Sequence, residues 1–410
     1  MVYEPNVLLR LRAAAKEVFV QLNAFFTTST PAVEEYLRHR TWVLYNTKNQ
    51  FDSLSFLQTG LQDVVFVSHE PRAAQWDASG QTIILPYYAA VPLRYVLNYL
   101  PIMWRTLYRQ PKHFARMFHY FVRGIGQFEV FSQFLARYQP RAIIIGNDHS
   151  VHCRAMMHAG NQAGIPTVFF QHASVMSDFP PMRFAHACVE GQDTLDKFML
   201  IDPETQTKFH LVGMPKLDHF FSRINDKERV EVLGIPFGPD DSLDDIARLT
   251  SYILMHCSGL RIRVRKHPAD PRTVDLGELP SSTNTVELSN PVVESAFDYL
   301  GSVDMIINGS SSIHLEAVLL NVVSLYFTHS EIVDLYAYVA NGLVDRADNY
   351  SEVVRYIQHN QTKKETVRHR AKYYYAPLGT PYDGHSAELS RKVIASILAK
   401  PESGETPATC

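Results

Sequence analysis

Two segments in the second half of the chain combine residue types that bind anions. Residues 260–268 alternate apolar and basic side chains, which predicts a strand, and Pro268 ends it, so that His267 lies at the carboxyl tip. Residues 304–307 predict a short buried strand that runs into an Asn-Gly turn, and a helix is predicted to start at the three serines 310–312. Backbone N–H groups, hydroxyls and the positive end of a helix dipole can bind phosphate at such a junction.

Ligands of open α/β sheets bind beyond the carboxyl ends of the strands, and both segments place polar residues there. We therefore predict that the two segments face one phosphorylated ligand. The candidate residues on this side are Lys266, His267, Ser310, Ser311, Ser312 and, in the first turns of the helix, Glu316. The alternative is that the serines only cap the helix and that His267 only ends its strand. Strand alternation puts Arg265 and Lys266 on opposite sides, so at most one of them faces the ligand.

Polar residues also follow predicted strands in the first half of the chain. A buried strand near residues 141–145 leads into a helix over 151–163, and a second strand near 166–170 follows. The polar residues beyond strand ends in this half are Asp148, His149, Gln171, His172 and Glu190. Asp148 is the candidate base or carboxylate nucleophile, with Glu190 as second choice, although Asp148 could instead cap the helix. His149 and His172 are candidates for substrate contact, and loop packing is the alternative for His172.

Composition excludes several classes of protein. The chain has 410 residues and a net charge of −3, so the whole protein shows no basic character that would suit nucleic acid. Its four cysteines are scattered without a CxxC pair, and no DxD-type motif follows a strand, so we expect no metal site and no cofactor. The first residues do not form a signal peptide, and no apolar run reaches about 18 residues. We therefore expect a cytoplasmic protein, soluble or peripheral to a membrane.

The order of predicted elements indicates an α/β protein with two Rossmann-like domains facing a cleft. Helices are predicted over residues 7–26 and again from about residue 34, and residues 225–245, rich in charge, Gly and Pro, are predicted to cross between domains. The predicted divisions are a Rossmann-like domain with a helical N-terminal part (1–224), a second Rossmann-like domain (225–370), a loop and helix returning to the first domain (371–400) and a disordered tail (401–410).

Residues 78–128 contain no Asp or Glu but six basic residues, with aromatic residues interleaved. A basic, aromatic amphipathic helix can lie on an anionic membrane surface. The alternative is an internal helix with a solvated basic face. The membrane hypothesis would bring the protein to the inner face of the plasma membrane.

The ordered motifs resemble GT-B glycosyltransferases of bacterial capsule and lipopolysaccharide assembly. The resemblance rests on the turn at 171–172, the segment Gly213-Met214-Pro215-Lys216-Leu217-Asp218, the Lys266-His267-Pro268 motif and the serines with Glu316-Ala317. Bacterial Kdo-, sialyl- and polysialyltransferases share the last two motifs, as do CDP-polyol phosphotransferases. The similarity covers roughly residues 140–330. The chain departs from the pattern at Ala173, where the family often has Gly, and it lacks the acidic pair followed by Gly that sialyltransferases carry.

The resemblance implies a metal-independent transfer from a cytidine nucleotide-sugar, such as CMP-Kdo or CMP-sialic acid, to a growing surface glycan or lipid-linked glycan. It implies that His267 hydrogen-bonds or protonates the phosphate of the leaving group. The three serines would bind the same phosphate, and Glu316 would accept hydrogen bonds from the nucleotide. Lys266, Gln171 and His172 are further candidates for donor binding, and His149 and Glu190 are secondary, acceptor-side candidates. The resemblance makes residues 1–224 the acceptor-side domain and residues 225–370 the nucleotide-sugar-binding domain. Two alternatives remain open, a CDP-polyol phosphotransferase and an epimerase-like GT-B enzyme that acts on a UDP-sugar.

Overall fold

A computed structural model describes residues 35–85, 92–328 and 334–399, which form two parallel β-sheets with helices on their faces. The first sheet has seven strands in the order β3-β2-β1-β4-β5-β6-β7. These strands are β1 (Thr41–Leu44), β2 (Val64–Ser68), β3 (Ile83–Ile84), β4 (Ala142–Ile145), β5 (Thr167–Phe170), β6 (His186–Val189) and β7 (Lys208–Leu211). Its helices are α1 (Lys48–Leu54), α2 (Pro92–Arg109), α3 (Pro111–Tyr138), α4 (Val151–Gln162) and α5 (Gln192–Ile201).

The second sheet has six strands in the order β10-β9-β8-β11-β12-β13. These strands are β8 (Val232–Phe237), β9 (Arg261–Lys266), β10 (Thr285–Ser289), β11 (Met305–Asn308), β12 (Val323–Tyr326) and β13 (Asp345–Arg346). The helices that follow the first sheet are α6 (Leu243–His256), α7 (Ala296–Leu300), α8 (Ile313–Leu319), α9 (Tyr350–Thr362) and α10 (Ser386–Ala399). In each sheet the strand order reverses once, between β1 and β4 and between β8 and β11, and such reversals are where ligands of doubly wound sheets bind.

The central strands are apolar along their whole length because helices cover both faces of each sheet. All four residues of β4 and all four of β11 are buried. Continuous burial of this kind is typical of parallel sheets and explains why these strands are recognisable in the sequence. Their carboxyl ends therefore mark the first positions at which polar side chains can reach solvent.

Residues 225–245, which we expected to cross between the domains, contain the strand β8. The sequence Val232–Phe237 is fully buried and lies at the centre of the second sheet, between β9 and β11. Gly234 is needed there because a Cβ atom would lie 2.6 Å from the Tyr299 hydroxyl, which donates a hydrogen bond to the Arg263 carbonyl. Pro236 is tolerated because β8 pairs with β11 only at Leu233 and Gly234. The chain leaves the first sheet at Leu211 and enters the second at Val232.

The C-terminal segment returns to the first sheet and is fastened to the connection between the sheets. Both carboxylate oxygens of Asp218 accept hydrogen bonds from the first N–H groups of α10, those of Ser386 and Ala387. Gly213, at φ +79°, leaves room for this segment, since a Cβ atom there would lie 2.5 Å from the Ser386 hydroxyl. Ile394 of α10 is then buried in the core beneath the first sheet. The motif at 213–218 thus has a structural role in holding the returning helix.

Several expectations concern residues that lie outside the described ranges. These are the helix over 7–26 and the tail over 401–410. Within the described residues, none of the helices is long and apolar enough to cross a membrane.

Candidate functional site

The two sheets meet at the buried amine of Lys216, in the connection between them. Its Nζ atom lies 3.1 Å from Oε1 of Glu316 on α8, and 3.4 Å from both the Asn49 side-chain oxygen and the His172 carbonyl of the first domain. Burial lowers the pKa of Lys216, but Glu316 and Glu190 outweigh this effect and raise it above its ordinary value. One ammonium group therefore joins the carboxyl ends of the two sheets.

Glu190 follows β6 and lies beside this junction. Its backbone N–H donates to Oε1 of Gln171 at 2.8 Å, and Nε2 of Gln171 donates to the Glu190 carboxylate and to the Ala173 carbonyl, both at 3.0 Å. Burial raises the pKa of Glu190 to about 8, and the nearby Lys216 opposes that shift without cancelling it. Both N–H groups of the Gln171 amide are used within the chain, so Gln171 acts by positioning Glu190 and the turn at Ala173. A direct contact of Gln171 with a donor stays a prediction.

His172 lies at the end of β5, close to the junction. Burial, and then the positive charge of Lys216, lower the pKa of His172 to about 3. The imidazole is therefore neutral at physiological pH and can offer hydrogen bonds but no charge. Asn49 on α1 donates to the His172 carbonyl at 3.1 Å, which fixes the backbone of this turn beside Lys216.

Asp148 and His149 form a pair beyond β4, at the strand-order reversal of the first sheet. The Nδ1 atom of His149 lies 3.0 Å from Oδ1 of Asp148, while the Asn147 side chain accepts the N–H groups of His149 and Ser150. Asp148 is 3% exposed, and its Oδ2 atom has no hydrogen-bond partner among the described residues. The His149 side chain is 48% exposed. The carboxylate therefore orients a half-exposed imidazole, whose Nε2 atom lies 3.4 Å from the Asn147 amide nitrogen. This is the arrangement of a histidine base with its supporting acid.

Sequence reasoning missed further polar groups at the same end of the first sheet. His69 follows β2, and its ring contacts the His152 ring with centroids 3.8 Å apart. Asn46 follows β1, and its amide nitrogen lies 2.8 Å from Nε2 of His152. Burial lowers the pKa of His69 to about 4 and lowers that of His152 strongly, so both rings are neutral. Residues 64–67 form a short apolar run, and a polar histidine just beyond such a run was the available signal for His69.

His267 lies on the other side of the junction, at the carboxyl tip of β9. Its ring is exposed, and its Nδ1 atom accepts a hydrogen bond from the Ala269 N–H at 3.1 Å. With Nδ1 acting as acceptor, the neutral ring carries its proton on Nε2. The structure therefore presents an N–H donor at the position where the sequence predicted a phosphate-binding histidine.

The serines 310–312 follow β11 and are partly buried. The oxygen of Ser310 accepts from the Leu335 N–H at 3.1 Å, which leaves its hydroxyl proton free to donate outward. The buried His314 supports this turn, because its Nε2 atom lies 2.8 Å from the Gly309 carbonyl and its Nδ1 atom lies 2.6 Å from the Ser324 hydroxyl. Burial lowers the pKa of His314 to about 4, so the ring is neutral and stabilises the turn through these two hydrogen bonds.

The basic residues near β9 are engaged within the protein. Lys266 donates to the Arg272 carbonyl at 2.7 Å, and the buried Arg265 bonds to the Ser289 hydroxyl and the Glu294 carbonyl. Arg272 in turn donates to the carbonyls of Gly238 and Asp241, which ties the loop after β9 to the loop after β8. The donor-side role predicted for Lys266 therefore requires it to leave a backbone partner, and it stays a prediction.

Two cavities help to locate the site. One of about 110 Å³ lies at the strand-order reversal of the second sheet and is lined by the ends of β8, β11 and β12, including Asp241, Asn308 and Gly309. A larger one of about 490 Å³ lies at the opposite, amino ends of β5, β6 and β7, beside Pro166, Ala185 and Thr207. We place the site at the smaller cavity and the adjoining cleft, because the polar residues of both sheets gather at carboxyl ends.

The raised pKa of Glu190 makes stability depend on pH in a defined direction. The folded state holds the Glu190 proton up to about pH 8, whereas the unfolded chain releases it near 4.5, so stability falls as pH rises between these values. Replacing Glu190→Gln removes the effect. We expect the variant to gain stability relative to the wild type from pH 5 to pH 8, by up to about 1.4 kcal/mol per pH unit.

Urea denaturation at pH 5, 6, 7 and 8 measures this difference. Glu204→Gln changes an exposed glutamate of the same domain and should follow the wild type. A constant difference between Glu190→Gln and the wild type across the series would contradict the account of Glu190.

No protein-family model matches the chain, and a search of the curated proteins finds no match either. Solved structures do resemble it over most of its length. The glycosyltransferase of kitacinnamycin has a TM-score of 0.57 at 11% identity, covering 88% of this chain and 99% of its own. UDP-GlcNAc 2-epimerase from Neisseria meningitidis, bound to UDP-GlcNAc, has a TM-score of 0.53 at 12% identity, with coverages of 88% and 100%.

The wall teichoic acid polymerase TagF, in crystals soaked with CDPG, has a TM-score of 0.52 at 8% identity, covering 96% of this chain and 98% of its own. Identities this low show the fold alone. The prediction of an α/β protein of GT-B type, with two Rossmann-like domains facing a cleft, is confirmed.

Proposed function

We propose that the protein is a glycosyltransferase that moves a sugar from a cytidine nucleotide donor, a CMP-linked ulosonic acid, to a growing bacterial surface glycan. One observation carries the proposal. An N–H donor on His267 and the hydroxyls of serines 310–312 lie at strand ends of one sheet, and the Asp148–His149 pair lies at a strand end of the other. The GT-B fold, the Lys266-His267-Pro268 motif and the serine motif support this choice of chemistry.

The second sheet would hold the phosphate of the donor. Strands β9 and β11 flank β8, so their ends are about 10 Å apart, a separation that side chains can bridge around one phosphate. Cleavage of the glycosyl bond leaves negative charge on phosphate oxygens, and fixed N–H and O–H donors stabilise it there. Glu316, oriented by Lys216, is placed to accept hydrogen bonds from the nucleotide.

The charge of this region favours a leaving group with a single phosphate. Arg265, Lys266 and Arg272 are engaged with protein groups, and the loop after β8 carries Asp240 and Asp241. A diphosphate would bring more negative charge beside Asp240 and Asp241, whereas a nucleoside monophosphate brings less. This difference supports a CMP-linked donor over CDP- and UDP-linked donors.

The first sheet would activate the acceptor. With Nδ1–H of His149 donated to Asp148, its Nε2 atom is an acceptor, which the Asn147 amide nitrogen approaches at 3.4 Å. An attacking hydroxyl that displaces Asn147 would give its proton to this atom. Asp148 then stabilises the imidazolium that forms, so we assign Asp148 an orienting role rather than direct proton transfer. Glu190 is held protonated by burial and contacts Gln171, which leaves it a secondary candidate.

A donor screen tests the proposal. The protein is incubated with CMP-Kdo, CMP-sialic acid, CDP-glycerol and UDP-GlcNAc, with and without surface-glycan acceptors, and released nucleotide is measured. We expect CMP release from one CMP-linked donor, increased by an acceptor. Turnover of CDP-glycerol alone would point to a polyol phosphotransferase, and UDP release without acceptor would point to an epimerase-like enzyme. Either result would overturn the CMP assignment.

The acceptor-side role of His149 gives a separate prediction. We expect His149→Ala to lower kcat by about 10²–10⁴-fold, the usual contribution of a general base, and to leave the Kd for CMP unchanged. Asp148→Asn should also lower kcat, because an amide cannot hold the imidazole in the required tautomer.

Turnover is followed with the donor found in the screen, and CMP binding by calorimetry. His359→Ala changes an exposed histidine on α9, with a side chain 65% exposed, and should behave as the wild type. Near wild-type kcat in His149→Ala, with normal folding, would refute the base assignment.

A further inference from the structure

The end of α2 and its turn into α3 expose apolar side chains that the proposed reaction does not use. We call residues 100–112 the α2–α3 tip. Its largest exposed side chains are Trp104, 71% exposed, and Tyr108, 82% exposed. Leu100, Ile102 and Leu107 are exposed beside them. Contiguous large apolar residues on a surface mark an interaction site far more often than chance exposure does.

Four of these five apolar residues lie along one face of α2, and Ile102 lies on the far side of the arginines. At about 100° per residue, Leu100, Trp104, Leu107 and Tyr108 fall within a sector of about 100°. Arg105 and Arg109 occupy the sector next to it. Over residues 100–109, α2 therefore exposes an aromatic and aliphatic stripe with a basic border.

The tip carries positive charge without any acidic residue to balance it. No Asp or Glu occurs between residues 78 and 128, and the first one beyond, Glu129, accepts a hydrogen bond from the Tyr99 hydroxyl. Arg105, Arg109 and Lys112 are exposed on the tip. A partner that covers this surface must therefore carry negative charge beside an apolar region.

The tip projects from a part of α3 that is buried in the first domain. Farther along α3, Phe131 and Leu135 are buried in the core of the first domain, and α3 packs along α4. The contact between Tyr99 and Glu129 holds α2 against α3 below the tip. The exposed stripe is thus fixed to the domain that would bind the acceptor.

We propose that the α2–α3 tip docks on a membrane surface that carries anionic lipid headgroups. Trp104 and Tyr108 enter the boundary between headgroups and acyl chains, and the basic side chains meet the lipid phosphates. Tryptophan and tyrosine are favoured at that depth because one end of each ring system is apolar and the other polar. The helix lies in the plane of the interface, in agreement with the absence of a spanning helix among the described residues. This inference stands independently of the donor that the enzyme uses.

Vesicle binding with quenching by brominated lipid tests the proposal on the full chain. The probes are vesicles of phosphatidylcholine alone and vesicles with 30% phosphatidylglycerol, each with or without acyl chains brominated near the headgroup. Trp42 is fully buried and Trp76 is partly buried, so Trp104 is the exposed reporter. We expect sedimentation with the anionic vesicles in ~0.1 M salt, release in ~1 M salt, and quenching of Trp104 fluorescence.

Two sets of variants separate the two contributions. Each basic side chain near an anionic surface strengthens binding about fivefold, so Arg105→Gln, Arg109→Gln and Lys112→Gln together should weaken it about 100-fold. Trp104→Ser with Tyr108→Ser should weaken sedimentation with the anionic vesicles, because the two aromatic anchors are lost. The controls are Val292→Ser with Val293→Ser, and Arg346→Gln with Arg355→Gln, which change equally exposed residues of the second domain.

Sedimentation and quenching of the wild-type protein test the proposal even if the variants fail to fold. Equal sedimentation with neutral and anionic vesicles, or the lack of Trp104 quenching by brominated lipid, would overturn the proposal. Dimerisation in sedimentation equilibrium that Trp104→Ser with Tyr108→Ser abolishes would also overturn it, since a second copy would then cover the tip.

Discussion

The arrangement of this molecule depends on one buried charge, the amine of Lys216. A buried ammonium costs several kcal/mol unless it is paired and hydrogen-bonded, and its partners here come from both domains. Glu316 supplies the opposite charge from the second domain, while Asn49 and the His172 carbonyl supply oxygens from the first. The ion pair is satisfied only when the carboxyl ends of the two sheets face each other. The same charge lowers the pKa of His172 and opposes the rise in that of Glu190.

This junction divides the polar groups of the cleft into two sets with different electrostatic character. The first sheet holds the neutral rings of His69 and His152 behind the Asp148–His149 pair, in which a buried carboxylate supports an open imidazole. The second sheet offers the N–H of His267 and serine hydroxyls as donors, while Arg265, Lys266 and Arg272 are hydrogen-bonded within the protein. A site of this kind suits proton removal on one side and stabilisation of a phosphate on the other. It gives the proposed transfer reaction a place for each reactant.

The sequence predicted the two-domain fold and most strands because buried parallel strands are apolar runs that end in polar residues. The strand β8 was missed because Gly and Pro usually indicate turns. Gly234 lies in a strand here because the Tyr299 hydroxyl leaves no room for a Cβ atom, and Pro236 is tolerated because β8 pairs with β11 only at Leu233 and Gly234. The candidates 148, 149, 267 and 310–312 could be proposed from the sequence because each lies within four residues of a strand end. The role of Lys216 could not be found, since its partners lie 100 residues away at Glu316 and 44 away at His172. Pairing between such distant positions leaves no local pattern.

The central claim is that the nucleotide binds at the carboxyl ends of β8, β9 and β11. Hydrogen–deuterium exchange with and without saturating CMP tests it directly, because bound phosphate would hold the backbone N–H groups of the surrounding loops. The account predicts added protection in peptides that cover residues 238–242, 267–272 and 308–316. Protection confined to residues 161–166 and 204–207, around the larger cavity at the opposite end of the first sheet, would contradict it.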